Sequence, residues 1–359
     1  MLRRFLSLFV VISLGVASVQ AADLIKVGIL GIDNYGSVAY TEFLNKPHAE
    51  GVFEGVRVVA TYPIGSDDYP DSDKLLAQWK EQLLNFYQNP ADPQDAVPPI
   101  EMVNSVDELL AKCDAIMIFS MDGRLHLSQA TTVLKAGKPL FISRPLASSP
   151  EDAVAILKLA EETGTPCWSS SQHRYNTGFS GMRDHPEVGR VIGCDVYGGW
   201  NVDAAEADKF TRPLHSIETL YTIMGPGVVS VTCASTPTTE SITAVWNDGR
   251  VGTYRGIKQG AVKYSATVFG EKGVAPAGIY GYPAPVNGVV PKSRYKGYEN
   301  VATEIAKFYK SGQLPIEPSE TIELFGFMEA AHESHRQGGI PVRIDEVIAK
   351  ARKNVDIRK

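Results

Sequence analysis

Residues 28–36 read GILGIDNYG, and this stretch decides how the first part of the chain folds. It ends an apolar run typical of a buried strand, and the segment that follows, SVAYTEFLN at 37–45, has the apolar spacing of a helix. Glycine in the turn, at Gly31 and again at Gly36, allows the tight reversal that such a junction needs. The stretch therefore predicts the first strand–turn–helix unit of an α/β sheet.

The same spacing is close to the G-x-G-x-x-G pattern of folds that bind a dinucleotide. Gly31 and Gly36 supply the outer glycines, but Asp33 stands at the middle position, where the backbone must approach a pyrophosphate. Two unit charges about 4 Å apart repel by roughly 4 kcal/mol at an effective dielectric constant near 20. Two interpretations stay open: an altered dinucleotide loop, and a structural turn in which Asp33 caps the following helix.

The acid that would bind a ribose at the end of the second strand is also missing. That strand reads VRVVATYP at 56–63, and Asp67 and Asp68 come later, in the loop. They would reach the expected position only if this loop folds back over the strand ends.

Strand and helix signals alternate through the first half of the chain. Helices begin at cap residues such as Ser105 and end at glycines such as Gly137. Short apolar runs separated by helices predict a doubly wound parallel sheet, a Rossmann domain over residues 22–170. One irregular insertion, at about 63–99, contains an amphipathic segment and a proline-rich loop.

The second half, residues 171–359, has the pattern of a different domain. Its apolar and β-branched runs are joined by Asn-Asp-Gly and Gly-Glu-Lys-Gly turns, which predict a large, open, mostly antiparallel sheet. A helix lies between the first two strands, and a helix beginning near Ser319 closes the chain. We therefore expect a second α/β domain over these residues.

Residues 1–21 have the features of a signal peptide. Arg3 and Arg4 precede a short apolar core, and small residues stand before a cleavage position at Ala22. A membrane anchor is the weaker interpretation, because the apolar run is short for a spanning helix. We expect a periplasmic or secreted protein with no membrane contact after cleavage, and the sequence leaves ordinary and twin-arginine export open.

Charge and cysteine usage exclude several classes of ligand. The formal net charge is −6, and losing two arginines with the leader would make it −8, with no basic run to bind nucleic acid. Four cysteines lie in apolar stretches without a CxxC spacing, so we predict buried free thiols. His332 and His335 share a helix face, but two ligands alone do not define a metal site, and none is predicted.

Three segments carry a resemblance to a known family. They are CDAIMIFSMDGRLHLSQATTVLKAGKPLFISRPLASSPEDA at 113–153, RPLHSIETLYTIMGPG at 212–227 and EAAHESHRQGGIPV at 329–342. Their order resembles the Gfo/Idh/MocA family of nicotinamide-dependent sugar and cyclitol oxidoreductases. GILGIDNYG is similar, more narrowly, to an often exported branch that reads Gly-Leu-Asp-Thr-Ser-His at this point. The resemblance implies a Rossmann domain, a second domain with an open sheet for substrate binding and oligomerisation, and a ligand cleft between them.

The resemblance also implies which side chains carry the chemistry: His215, Arg144 and Glu218. Arg144 takes the place of the lysine in the family's Glu-Lys-Pro, and a guanidinium positions a ligand but cannot serve as a base. His215 matches the family's histidine, a candidate general base. The family's orienting aspartate is replaced by Thr211, so a carboxylate is missing there unless Asp208 approaches.

For three of these side chains a purely structural role is the alternative: a surface ion pair for Arg144, a pair with Glu218 on the same helix for His215, and a bracing contact for His126. The motifs and the strand ends also predict two groups of ligand contacts. The predicted cofactor-binding residues are Gly31, Asp33, Gly36, Ser120, His126 and Arg144. The predicted substrate-binding residues are His173, Arg174 and His215.

The expected function is NAD- or NADP-dependent oxidation of a sugar or cyclitol hydroxyl. Asp33, Arg144 and Thr211 depart from the family at three functional positions. Two alternatives therefore stay open: a non-redox descendant that binds a carbohydrate or small acid, and a cofactor-assisted glycoside hydrolase. By resemblance, we expect a homo-oligomer formed through the C-terminal sheet.

Overall fold

The computed structural model describes residues 24–69, 71–88, 90–200, 213–279, 283–289 and 297–357. The predicted leader lies outside these residues. The described chain forms two sheets, each covered by helices. No helix among the described residues is both long and apolar enough to cross a membrane.

The first sheet is parallel and six-stranded, in the order β3-β2-β1-β4-β5-β6. The strand order reverses between β1 and β4, and doubly wound folds bind their ligands at the carboxyl ends of strands beside such a reversal. The predicted Rossmann-type sheet is confirmed. Its strands are β1 (Ile25–Leu30), β2 (Val56–Tyr62), β3 (Glu101–Met102), β4 (Ala115–Ile118), β5 (Leu140–Ser143) and β6 (Cys167–Ser170).

Helices cover both faces of this sheet, because successive side chains of a strand point to opposite faces. Val27 and Ile29 of β1 face a core shared with α1, whereas Leu30 faces a core shared with α3, α4 and α5. The predicted insertion carries a helix of its own, α2. The helices of this part are α1 (Gly36–Leu44), α2 (Ser72–Leu84), α3 (Val106–Lys112), α4 (His126–Lys135) and α5 (Pro150–Thr163).

The second sheet has seven strands in the order β12-β11-β7-β10-β9-β8-β13, and only the β7–β10 pair is parallel among them. The predicted mostly antiparallel sheet is confirmed. Its strands are β7 (Val191–Gly199), β8 (Val228–Ser235), β9 (Thr239–Trp246), β10 (Val251–Ile257), β11 (Ser265–Gly270), β12 (Val274–Pro276) and β13 (Val342–Arg343). Its helices are α6 (Thr177–Ser180), α7 (Pro213–Met224), α9 (Pro318–Arg336) and α10 (Ile344–Ile357).

Two features correct the predicted organisation. Helix α8 (Glu299–Ser311) leaves the second half and packs on the first sheet, where its Ile305 and Phe308 share a core with Val27. The second half of the chain therefore contributes to the core of the first sheet as well as to the second sheet. In addition, α9 does not close the chain, because α10 follows it and packs against α5 and α9. The four cysteines are buried and free, as predicted.

Candidate active site

Gly31 and Gly36 are required by packing in the turn between β1 and α1. Gly31 has φ +76°, and a Cβ atom built on it would lie 2.2 Å from Oγ of Ser120. A Cβ atom on Gly36 would lie 2.9 Å from the ring of Phe119. The two glycines thus let β1 and α1 approach the end of β4 closely, whether or not a ligand binds there.

Asp33 bridges two segments of the chain with its carboxylate. Its Oδ1 accepts a hydrogen bond from the backbone N–H of Met121 at 2.8 Å, and its Oδ2 accepts one from the hydroxyl of Ser72 at 2.6 Å. The side chain is fully buried, and burial raises its pKa above the ordinary value. Asp33 therefore ties the turn after β1 to the loop after β4 and to the start of α2.

The interpretation that Asp33 caps α1 is wrong. The N-cap position of α1 is Tyr35, and Oδ1 of Asn34, one residue before it, accepts the hydrogen bond from the backbone N–H of Gly36 at 2.8 Å. Asn34 is closer to the helix start, and its short amide side chain reaches the first helical N–H.

The loop after β2 folds back over the strand ends. Ser72 Oγ accepts a hydrogen bond from the backbone N–H of Ser66 at 2.9 Å, and Ser66 Oγ donates to Asp122 at 2.7 Å. Arg124 pairs with Asp122 at 2.7 Å and lies 3.7 Å from the exposed Asp68. Residues 64–69 and Ser72 consequently lie beside β1 and β2, at the place where the ribose of a dinucleotide lies in this class of fold.

A nicotinamide dinucleotide in its ordinary extended pose does not fit these residues as arranged. A buried carboxylate stands at the approach to the pyrophosphate, and residues 64–69 with Ser72 close the ribose side. A helix N-terminus would bind the pyrophosphate through its backbone N–H groups. Here the N–H of Gly36 already donates its hydrogen bond to Oδ1 of Asn34. Asp33 thus has a structural role, because its carboxylate accepts hydrogen bonds from donors of the surrounding chain.

Ser120 and His126, both predicted cofactor contacts, make internal contacts. Nε2 of His126 lies 2.9 Å from the carbonyl oxygen of Ser120, and Nδ1 lies 2.9 Å from that of Pro145. The ring is fully buried, and Ser120 Oγ accepts a hydrogen bond from Gln129 at 2.7 Å. His126 therefore braces the loops after β4 and β5, next to the half-buried Arg144.

His215 and Glu218, on α7, both contact the end of β6. Nδ1 of His215 lies 2.6 Å from Oγ of Ser171, and Oε1 of Glu218 accepts a hydrogen bond from the backbone N–H of Ser171 at 2.8 Å. The two side chains share a helix face, as their spacing predicts. The carboxyl end of β6 is thereby attached to α7, which joins the two sheets at the cleft.

Glu218 and Arg174 form a buried ion pair. The Nε–Oε2 distance is 2.9 Å, the side chains are 3% and 10% exposed, and a second arginine nitrogen lies 2.7 Å from Glu320. Burial raises the pKa of Glu218, and the charge of Arg174 opposes that rise. The two side chains join α7, α9 and the loop after β6, and their contact with a ligand stays a prediction.

His173 stacks on His215, with ring centroids 4.6 Å apart. Tyr264 meets the His173 ring edge-on at 4.9 Å. Burial lowers the pKa of His173 to about 3, and the nearby charge of Arg144 acts in the same direction. The structure thus brings the rings of His173 and His215 together beyond the carboxyl end of β6, near the charge of Arg144, with His173 neutral at ordinary pH.

Sequence reasoning did not identify Ser171 or Tyr264. Ser171 ends a run of three serines at the carboxyl end of a parallel strand, a position typical of ligand-site residues. This run of serines is the sequence signal from which Ser171 could have been predicted. No such signal marks Tyr264, because it precedes a strand of the other sheet. Thr211 and Asp208 lie outside the described residues.

Comparison with known proteins gives partial matches among curated sequences. The chain is 29% identical over 118 residues to 1,5-anhydro-D-fructose reductase of Ensifer adhaerens, covering 29% of this chain and 35% of that protein. It is 28% identical over 133 residues to inositol 2-dehydrogenase of Cereibacter sphaeroides, covering 36% and 40%. The matched stretches thus span well under half of these relatives.

A solved structure matches over almost the whole chain. It is scyllo-inositol dehydrogenase from Lactobacillus casei with bound NAD(H) and scyllo-inositol, at 13% identity and a TM-score of 0.63. The match covers 90% of this chain and 100% of that one, and it shows a shared fold.

The family comparison agrees with the sequence resemblance. Residues 25–171 match the family described as "Oxidoreductase family, NAD-binding Rossmann fold". The match begins at β1 and ends at Ser171, so it covers all six strands of the first sheet. Over these residues the chain is thus similar to the Gfo/Idh/MocA oxidoreductase family.

Proposed function

We propose that the cleft between the two sheets binds a sugar, a cyclitol or a related small acid, with His215, His173 and Arg144 contacting the ligand. The stacked pair of histidines at the carboxyl end of β6 carries this proposal. Polar side chains and an aromatic ring, Tyr264, converge there at the edge where α/β folds bind ligands. The relatives' names, inositol dehydrogenase and anhydrofructose reductase, support a polyhydroxylated ligand.

Asp33 favours a ligand-binding role over redox chemistry with a freely exchanging dinucleotide. Its bonds to Ser72 and Met121 hold the dinucleotide edge in a closed arrangement. A carbohydrate- or acid-binding descendant of the family uses the cleft and needs no open edge.

NAD- or NADP-dependent oxidation of a sugar or cyclitol hydroxyl is the second candidate. The family match and the retained turn glycines, Gly31 and Gly36, favour it. In that case His215 serves as the group that receives the hydroxyl proton, and Arg144 as a fixed charge that orients the ligand. Cofactor-assisted glycoside cleavage, which also needs a working dinucleotide site, belongs with this candidate.

Two further expectations remain proposals. Export to the periplasm or medium rests on residues 1–21, which lie outside the described chain. Self-association through the second sheet is supported by the exposed apolar side chains of Ile192, Val245 and Val251 on neighbouring strands.

Calorimetric titration of the secreted chain separates the two candidates. One arm uses myo-inositol, D-glucose and D-glucuronate without cofactor, and the other uses NAD(H) and NADP(H). The matched variants are His215→Gln at the cleft and His335→Gln on the exposed end of α9.

We expect binding heat with a sugar or cyclitol and none with millimolar dinucleotide. The heat with the sugar or cyclitol should be lost in His215→Gln and kept in His335→Gln. Micromolar binding of a dinucleotide would favour the redox candidate. Absence of heat with all three sugar-type probes would contradict ligand binding of this class at the cleft.

A further inference from the structure

The hydrogen-bond partners of Ser171 determine where its hydroxyl hydrogen points. The side chain is fully buried, and its Oγ already accepts a hydrogen bond from the backbone N–H of His173 at 3.1 Å. Its one other side-chain contact within the described residues is Nδ1 of His215, at 2.6 Å. A buried hydroxyl that does not donate its hydrogen costs free energy, so this hydrogen belongs on the line to Nδ1.

A hydrogen bond donated to Nδ1 fixes the tautomer of the imidazole. In a neutral ring only one nitrogen carries a proton, so an accepting Nδ1 leaves the proton on Nε2. An aspartate orienting the same nitrogen would have the opposite effect, because a carboxylate accepts from Nδ1–H and leaves a lone pair on Nε2. A serine that donates to Nδ1 thus gives the histidine the opposite polarity to the one that a carboxylate would give it.

His173 has the complementary arrangement. The hydroxyl of Thr219 donates to the carbonyl oxygen of His215 at 3.0 Å, so its oxygen can only accept from Nδ1 of His173, 3.3 Å away. Neutral His173 therefore carries its proton on Nδ1 and a lone pair on Nε2. The stacked pair therefore combines one ring that is protonated on Nε2 with one that is protonated on Nδ1.

We propose that Ser171 is a positioning residue that holds His215 as the Nε2–H tautomer, so that His215 meets the ligand as a hydrogen-bond donor. The ligand atom it recognises is then an acceptor, a carbonyl or carboxylate oxygen of a keto or acid sugar, and the nearby positive charge of Arg144 favours such an oxygen. This inference rests on the proposed binding function and narrows its ligand class. It also means that neutral His215 has no lone pair on Nε2 with which to take a hydroxyl proton.

The tautomer can be measured directly by ¹⁵N nuclear magnetic resonance on the chain labelled at its seven histidines. His215→Gln assigns the signals of His215 by their loss. In the unmodified protein we expect the Nδ1 signal of an unprotonated, hydrogen-bonded nitrogen and the Nε2 signal of a protonated one. A protonated Nδ1 would overturn the inference.

Two variants test whether Ser171 causes the tautomer. Ser171→Ala removes the donor, and we expect the two nitrogen signals to move toward the averaged values of exchanging tautomers. Ser170→Ala is the matched control, because Ser170 contacts Glu218 and the backbone but not His215. Unchanged signals in Ser171→Ala, or an equal change in the control, would contradict the role. Circular dichroism checks that both variants fold.

Ligand class is tested by titration with D-glucuronate and D-glucose, which differ at a carboxylate. We expect at least tenfold tighter binding of glucuronate, and loss of that preference in Ser171→Ala. Equal binding would overturn the assigned ligand class. Binding of neither probe would instead defeat the proposed function, and the tautomer measurement, which needs no ligand, distinguishes the two failures.

Discussion

The carboxylate of Asp33 and the hydroxyl of Ser72 are 2.6 Å apart, although 39 positions separate them in the chain. Ser72 is the first residue of α2, the helix of the insertion. The contact therefore closes the carboxyl edge of the Rossmann sheet with a segment that a minimal α/β unit does not have. Because the pair is buried, the closure is part of the folded core.

Replacing Asp33 by glycine is expected to make dinucleotide binding measurable. The change removes the buried charge and restores a backbone that can approach a pyrophosphate. A repulsion of up to roughly 4 kcal/mol is relieved, so we expect at least a tenfold gain in affinity for NAD(H) by calorimetry. Ser72→Ala is the control, since it removes the hydrogen bond and keeps the charge. An equal gain in Ser72→Ala, or none in Asp33→Gly, would count against the electrostatic explanation.

Gly31→Ala is expected to destabilise the fold strongly. The added methyl would lie 2.2 Å from Oγ and 2.8 Å from the backbone nitrogen of Ser120, at a φ of +76°. Overpacking and backbone strain together predict a loss of roughly 3–5 kcal/mol in the free energy of unfolding.

Gly137→Ala is the matched control, measured by the same urea denaturation. Gly137 has a φ of +68°, but beyond its chain neighbours no atom lies within 4 Å of the place that an added methyl would take, so only strain of about 1 kcal/mol is expected. Similar losses in the two variants would show that contact with Ser120 is unimportant.

Glu218→Ala is expected to cost roughly 3–5 kcal/mol of stability, because it leaves the guanidinium of Arg174 buried beside a single remaining partner, Glu320. The control is Glu271→Ala, which breaks an exposed pair with Arg190 and should cause no measurable loss. Chemical denaturation compares the two. A loss of ligand binding at unchanged stability would instead assign Glu218 to the ligand.

The unfolding free energy should depend on pH through His173. Its pKa is about 3 in the folded protein and near 6.5 when unfolded, so between these values the unfolded state binds the additional proton. This contribution is complete above about pH 6.5 and is lost as pH falls toward 3, by about 1.4 kcal/mol per pH unit. Urea denaturation at several pH values should show a flatter profile for His173→Gln than for the unmodified chain. Parallel profiles would contradict this pKa.

Local signals in the sequence were sufficient for most of the fold. Buried strands next to capped helices predicted the parallel sheet, and β-branched runs with glycine turns predicted the second sheet. Helix α8 was missed because its apolar face, with Ile305 and Phe308, indicates burial but does not tell which sheet it covers. Such long-range pairing is decided by tertiary packing.

The candidate site was only partly predictable, for a related reason. His215 and Glu218 could be placed on one helix face from their spacing, but their partners Ser171 and Arg174 come from another element. Asp33 was assigned to a loop or a cap because both are local roles. Its actual partner, Ser72, lies beyond a whole strand and loop, and no local pattern encodes that contact.

The return of α8 to the first sheet has a practical consequence for dissecting the chain. A fragment that stops after β6 would contain every strand of the parallel sheet and yet leave Val27 and Met117 without the helix that covers them. Such a fragment would expose an apolar layer and associate with itself. Recombinant work on the first sheet therefore needs residues 299–316 joined to it, by a linker or by circular permutation.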